Sequence, residues 1–143
     1  MSNSINVLLI EDNKGDALLA KEAFKDCPIL RSLDVVEDGE LAISYLRKLD
    51  QFTNAVLPDL ILLDLNLPKK DGREVLEEIK QDAVLKRIPV IVLTTSESDK
   101  DILHAYDSHA NCYIRKPVNL KEFIAVVKRI EEFWFTIVKF PRH

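Results

Sequence analysis

Apolar residues along this chain fall into two alternating patterns. Short continuous runs, "INVLLIE" (5–11), "LDVVE" (33–37), "DLILLD" (59–64), "PVIVLTT" (89–95) and "NCYIR" (111–115), have the length and composition of strands. The first, third and fourth are nearly unbroken in Val, Ile and Leu, as expected of parallel strands covered by helices on both faces. Between them, apolar positions recur at helical spacing. "GDALLAKEAFKD" (15–26) repeats Leu18, Leu19, Ala23 and Phe24 before Pro28 stops it, and "ELAISYLRKL" (40–49) follows. "GREVLEEIKQD" (72–82) collects Val75, Leu76 and Ile79 on one side. "SDKDILHAYDSH" (98–109) opens with a Ser98-x-x-Asp101 capping box, and "NLKEFIAVVKRIEEFW" (119–134) with Asn119 as N-cap and Glu122 three residues on. Five βα units without repeats or a low-complexity linker predict an α/β domain with a parallel sheet.

A chain of 143 residues is most simply one domain, large enough to bury a core. Its net charge of -4 leaves no basic footprint for nucleic acid. No apolar run approaches the ~20 residues of a membrane span, and "MSNSINVLLIED" lacks the basic region and cleavage site of a signal peptide. Cytoplasmic location without membrane attachment is the expectation. Cys27 and Cys112 have neither a CxxC nor a zinc spacing and read as a reduced pair, with Cys112 a small core residue. The three glycines, at 15, 39 and 72, form neither a dinucleotide nor a P-loop motif. Function is therefore expected from side chains at the carboxyl ends of the strands, where open α/β sheets place their sites.

Those ends carry a specific set. Strand one ends in Glu11 and Asp12, strand three in Asp64, strand four in Thr94 and Thr95, and strand five in Lys116. In a parallel sheet all these ends point the same way. Asp64 is the least ordinary, because Leu60, Ile61, Leu62 and Leu63 lead straight into it, and an isolated buried carboxylate is costly. Three convergent carboxylates raise one another's pKa unless a cation is present. A hard divalent ion relieves this, and Mg2+ suits one or two carboxylates plus water and phosphate. Taken alone, "EDN" also reads as solvated loop acids and an N-cap, and Lys116 as a surface lysine before Pro117.

"LLIEDN", "LILLDLNLP..DG", "IVLTT" and "YIRKP" resemble, in order and spacing, the successive signatures of response-regulator receiver domains of two-component signalling, over roughly residues 5 to 133. "EDNKGDALLAKEAF", "LNLPKKDGREVL", "HANCY" and "EEFWFTIVK" are similar, more narrowly, to the small single-domain regulators partnered with bacterial and cyanobacterial phytochromes. The resemblance implies a doubly wound, flavodoxin-like fold with a five-stranded parallel sheet in the order 2-1-3-4-5. It implies that Asp64 accepts a phosphoryl group from a phosphohistidine on a sensor histidine kinase of phytochrome type. Mg2+ (or Mn2+) would be held by Asp12 and Asp64, by Glu11 mainly through water, and by the backbone carbonyl of Asn66. Lys116 would pair with Asp64 and then with a phosphoryl oxygen, aimed by a cis Lys116–Pro117 bond usual in the family. Thr94, not Thr95, would offer its hydroxyl to the phosphoryl group, and Tyr113 would be an aromatic switch filling the space that Thr94 vacates; a partly buried strand tyrosine is the plainer reading. Phosphoryl lifetime would depend on Asn66 and Ser96. His104, His109 and His143 form no catalytic set, so the chain reads as a receiver that catalyses only its own phosphorylation and dephosphorylation.

Residues 1–134 are expected to be the receiver domain and 135–143 an extension of the last helix, too short for an output domain, so output would run through another protein or through self-association. Phe123, Val127, Ile130, Trp134 and Ile137 follow a heptad seam, widened by Phe133 and others. More apolar surface than one inward face needs predicts a homodimer through this helix, although continuation over its own core gives the same spacing. Two rivals stand: an aspartyl-phosphate phosphohydrolase, disfavoured because Asn66 replaces the second acid and no capping insertion fits, and a dimeric scaffold without phosphorylation.

Overall fold

The chain folds, in a computed structural model that describes residues 4–136 and 138–141, as five βα units. They are β1 (Ile5–Ile10), α1 (Lys14–Phe24), β2 (Leu30–Val36), α2 (Gly39–Leu46), β3 (Leu60–Leu63), α3 (Gly72–Gln81), β4 (Val90–Thr94), α4 (Asp99–Asp107), β5 (Cys112–Arg115) and α5 (Leu120–Thr136). The sheet is wholly parallel, as the apolar runs predicted, and in the order β2-β1-β3-β4-β5 that the family resemblance implied.

Every residue of β3 is completely buried, because β3 is the central strand and helices lie on both faces. One face packs Leu8, Ile10, Ile61, Leu63, Val90 and Val92 against α2 and α3. The other packs Val7, Leu9, Leu60, Leu62, Ile91 and Leu93 against α1 and α5. Each such side chain contributes about 1.5–3 kcal/mol on burial, so the four of β3 together exceed the several kcal/mol that a buried ion costs. The strand can therefore deliver a charged residue to its end. β2 begins three residues earlier than the apolar run suggested. As an edge strand it alternates half-buried and exposed positions, and "LRS" pairs without being continuously apolar.

Helix starts follow general capping chemistry, with Asp38 and Asp71 added to the caps read from sequence. Asn13, Asp38, Asp71 and Ser98 accept backbone N–H bonds as N-caps, and Asn119 Oδ1 accepts from Lys121 and Glu122 N–H. One half of the Ser98 capping box is absent: Asp101 N–H bonds Ser98 Oγ, but the Asp101 carboxylate turns elsewhere.

The C-terminal seam corrects an expectation. Phe123, Val127 and Ile130 are buried in the chain's own core and do not stand out from the surface as a seam. A helix lying on a sheet buries one stripe at the same 3–4 spacing as a coiled-coil seam, which is why the pattern was ambiguous. Phe135 also turns inward and stacks on Phe24. Phe133 is exposed and Trp134 half-buried, and Ile137 lies outside the described residues. No helix among the described residues is long and apolar enough to cross a membrane.

Candidate phosphoacceptor and metal centre

The parallel register carries Glu11, Asp64, Thr94 and Lys116 to one edge of the sheet, where all four are buried. Both oxygens of Asp64 are engaged. Its Oδ1 accepts from Thr94 Oγ1–H (2.9 Å) and from Asn66 N–H (3.1 Å), and its Oδ2 faces Lys116 Nζ at 3.2 Å. Lys116 also donates to Glu11 Oε1 (2.7 Å) and Asp16 Oδ2 (2.9 Å), so its three N–H bonds serve three acids. Asp16 was missed from sequence, because it stands in the first turn of a helix and not at a strand end. Its N–H does bond the Asn13 cap, and that fixes its carboxylate beside Lys116.

Lys116 reaches this position without the expected cis bond: no peptide among the described residues is cis. Its N–H bonds the Thr94 carbonyl, which holds the end of β5 against β4. Thr94 already stands at the carboxylate, whereas Thr95 is exposed and takes no part. Tyr113 is half-buried and its hydroxyl donates to the Ser96 carbonyl (3.0 Å), tying β5 to the loop after β4.

The charges of this pocket are strained. Burial pushes the Glu11 carboxyl up to about 7, aided by the charge on Asp64 and opposed by Lys116. Burial alone pulls the Lys116 ammonium down, but hydrogen bonds to Asp16 and Glu11 and the charges of Asp64 and Glu11 outweigh it, and the net shift is upward. One lysine thus serves an acid cluster that is short of positive charge.

The donor set fits a divalent cation. Glu11, Asp12 and Asp64 each offer a carboxylate oxygen, all within 4.8 Å of one another, and Asp12 is exposed to solvent. These are hard oxygen ligands with an open side, the environment that Mg2+ and Mn2+ favour.

The β3–α3 loop presses against this edge. A Cβ on Gly72 would stand 2.4 Å from the Asp64 carbonyl oxygen, and one on Gly39 would stand 1.9 Å from that of Lys70. Two of the three glycines are therefore demanded by close backbone approach around the acceptor loop.

Residues 7–128 match the family model described as the response regulator receiver domain. The chain is 49% identical over 135 residues to response regulator Rcp1 of Synechocystis sp. (strain ATCC 27184 / PCC 6803 / Kazusa), covering 94% of this chain and 92% of Rcp1. The crystal structure of the Mn(2+)-bound form of Rcp1 superposes with a TM-score of 0.94 at 48% identity, over 96% of this chain and 99% of that one. The phosphorylated cyanobacterial phytochrome response regulator RcpA does so with a TM-score of 0.95 at 52% identity, over 97% and 99%. With its sheet order, its strand-end acids and this match across most of its length, the chain belongs to the response regulator receiver domain family.

Proposed function

We propose that this response regulator takes a phosphoryl group onto Asp64 from a phosphohistidine of a sensor histidine kinase of phytochrome type, with Mg2+. The observation that carries the reading is the convergence of Glu11, Asp12, Thr94 and Lys116 on one buried aspartate. The names of RcpA, a cyanobacterial phytochrome response regulator, and of the bacteriophytochrome response regulator AtBRR, both similar to this chain, support the partner. A carboxylate oxygen of Asp64 attacks phosphorus, a P–O bond forms, and the P–N bond to imidazole breaks with its electrons leaving on the ring. Thr94 and the Asn66 N–H orient the carboxylate, and Lys116 stands ready to follow a phosphoryl oxygen. A divalent cation held by Glu11, Asp12, Asp64 and the Asn66 carbonyl would neutralise charge on the incoming phosphoryl oxygens. Tyr113, whose hydroxyl is tied to the loop after β4, then reports the change to the surface of α4 and β5 as a shift between two states.

Output is through protein contact, including a second copy of the chain. Ile114, Val126, Arg129, Ile130, Phe133 and Trp134 line an apolar hollow of about 250 Å³ on the face of β5 and α5. This is narrower than the heptad seam implied: of its lining, Phe133 and Arg129 are exposed and Ile114, Val126 and Trp134 half-buried.

The direct test is transfer from an autophosphorylated phytochrome-type kinase to wild type and to Asp64→Asn in Mg2+ buffer. Label moving to wild type and not to the variant supports the reading. Label moving to both removes Asp64 from the acceptor role, and label moving to neither removes that class of kinase as donor.

A further inference from the structure

The three acids that meet Lys116 are not equivalent. Glu11 and Asp64 belong, with Asp12, to the set of carboxylates whose oxygens lie within 4.8 Å of one another and suit a divalent ion. Asp16 stands outside that set, yet its Oδ2 accepts from Lys116 Nζ at 2.9 Å, closer than Asp64 Oδ2 at 3.2 Å. Its side chain is 26% exposed, against 3% for Glu11 and 7% for Asp64, so water helps to keep its charge. Asn13 fixes both acids on this side of the lysine. Its N–H donates to Glu11 Oε2 (3.1 Å), and its Oδ1 accepts the Asp16 N–H (2.9 Å).

These partners divide when the site is loaded. Glu11 and Asp64 cannot give their charge in full to a divalent ion and to Lys116 at once. The ammonium and the ion also repel, and in a buried pocket that repulsion is poorly screened. Asp16 is the acid left to oppose it, placed in the first turn of α1, where a helix favours a carboxylate. An ammonium carries three donors. One kept on Asp16 leaves two to pass from Glu11 and Asp64 to oxygens of the phosphoryl group.

We propose that Asp16 is a positioning residue, the pivot that keeps Lys116 in the acceptor site when a divalent ion occupies Glu11, Asp12 and Asp64. The proposal rests on the reading of Asp64 as the acceptor. Lys116 is the group that reaches the phosphoryl oxygens, and Asp16 acts through it. The transfer itself is unaltered. Asp64 forms the new P–O bond, the donor's bond to phosphorus breaks, and its electron pair leaves with the donor. No proton passes through Asp16.

The test uses Asp16→Asn in the full chain, which keeps the shape of the side chain and removes its charge. With lysine nitrogen isotopically labelled, the Lys116 ammonium resonance is assigned by its absence from Lys116→Met. A hydrogen-bonded ammonium exchanges its protons slowly and is seen, whereas one released to water is not. Both wild type and Asp16→Asn are expected to show the signal without Mg2+. At saturating Mg2+ it is expected to persist in wild type and to vanish from Asp16→Asn. Adduct formation from acetyl phosphate at the same Mg2+, followed by intact mass, is expected to be about tenfold slower in Asp16→Asn, the size of one charge-assisted hydrogen bond. In a Lys116→Met background the substitution is expected to cause no further loss. The proposal is overturned by a signal that survives Mg2+ in Asp16→Asn, by one that vanishes from wild type, or by a variant rate that equals or exceeds wild type. A defect cured by more Mg2+ overturns it too, since Asp16 would then only attract the ion, and so does a further loss without Lys116. The ammonium signal needs no phosphoryl transfer, so it judges Asp16 separately from the acceptor reading, which absence of any adduct on wild type would refute.

Discussion

Asp64 can end a fully buried strand because its two oxygens meet a hydroxyl, a backbone N–H and an ammonium, so its desolvation is largely answered by hydrogen bonds. The weak point is Lys116, one cation shared by Glu11, Asp16 and Asp64. Replacing it by methionine leaves buried acids uncompensated and is expected to cost about 3–5 kcal/mol in urea unfolding without divalent ions. Mg2+ should then restore more stability to Lys116→Met than it adds to wild type, since the ion takes over the missing charge. Equal Mg2+ effects on the two proteins would contradict the shared-cation picture. Gly72 offers a test of geometry. Its Cβ would meet the Asp64 carbonyl and the Leu65 Cα, both backbone, so Gly72→Ala is expected to lose about 1–3 kcal/mol by overpacking. Gly15→Ala, with only the end of Asn13 nearby at 3.3 Å, should stay close to wild type in the same measurement.

At the scale of elements, the Arg73–Asp101 pair joins α3 to α4, with Arg73 Nη1 3.5 Å from the carbonyl of Leu65. The Asp101 carboxyl is depressed from 3.8 to about 2, so the native state releases its proton more readily than the unfolded chain. Its stabilising effect is fully present above pH 3.8 and is lost as pH falls toward 2. The stability gap between wild type and Asp101→Asn should therefore be constant from pH 5 to 7 and close through that acid window, read by thermal unfolding at each pH. This pair was not legible in the sequence. Ser98-x-x-Asp101 looked like a closed local box, but Arg73 of α3 and the Ser96 hydroxyl take up the Asp101 carboxylate instead. The strands and the caps Ser98 and Asn119, by contrast, were legible because they depend on local chemistry; Asp38 and Asp71 cap α2 and α3 without having been singled out. β2 was read short because an edge strand needs less apolar surface. The inward turn of Phe123, Val127 and Ile130 was hidden because period alone does not tell a core-facing stripe from a seam.

The whole molecule is a parallel sheet that brings distant segments to one edge, and this is why the centre itself was readable. Residues at strand ends in a parallel sheet point the same way, so Glu11, Asp12, Asp64 and Lys116 were singled out from position, whereas the choice of Thr94 over Thr95 came from the family resemblance. Asp16 was not, since it sits on a helix turn. The face of β5 and α5, where Phe133 and Trp134 line the hollow, is where a second copy is proposed. Phe133→Asp should convert a dimer to a monomer in sedimentation velocity with the fold kept by circular dichroism, and a variant that still sediments as a dimer would place the contact elsewhere.

The central claim, that Asp64 is the phosphoryl acceptor, is tested most directly by incubating wild type and Asp64→Asn with acetyl phosphate and Mg2+ and measuring intact mass. The account predicts one added phosphoryl group on wild type, lost when Mg2+ is chelated before the donor is added, and none on Asp64→Asn. An unmodified wild type under conditions that phosphorylate a control receiver, or an equal adduct on Asp64→Asn, would contradict it.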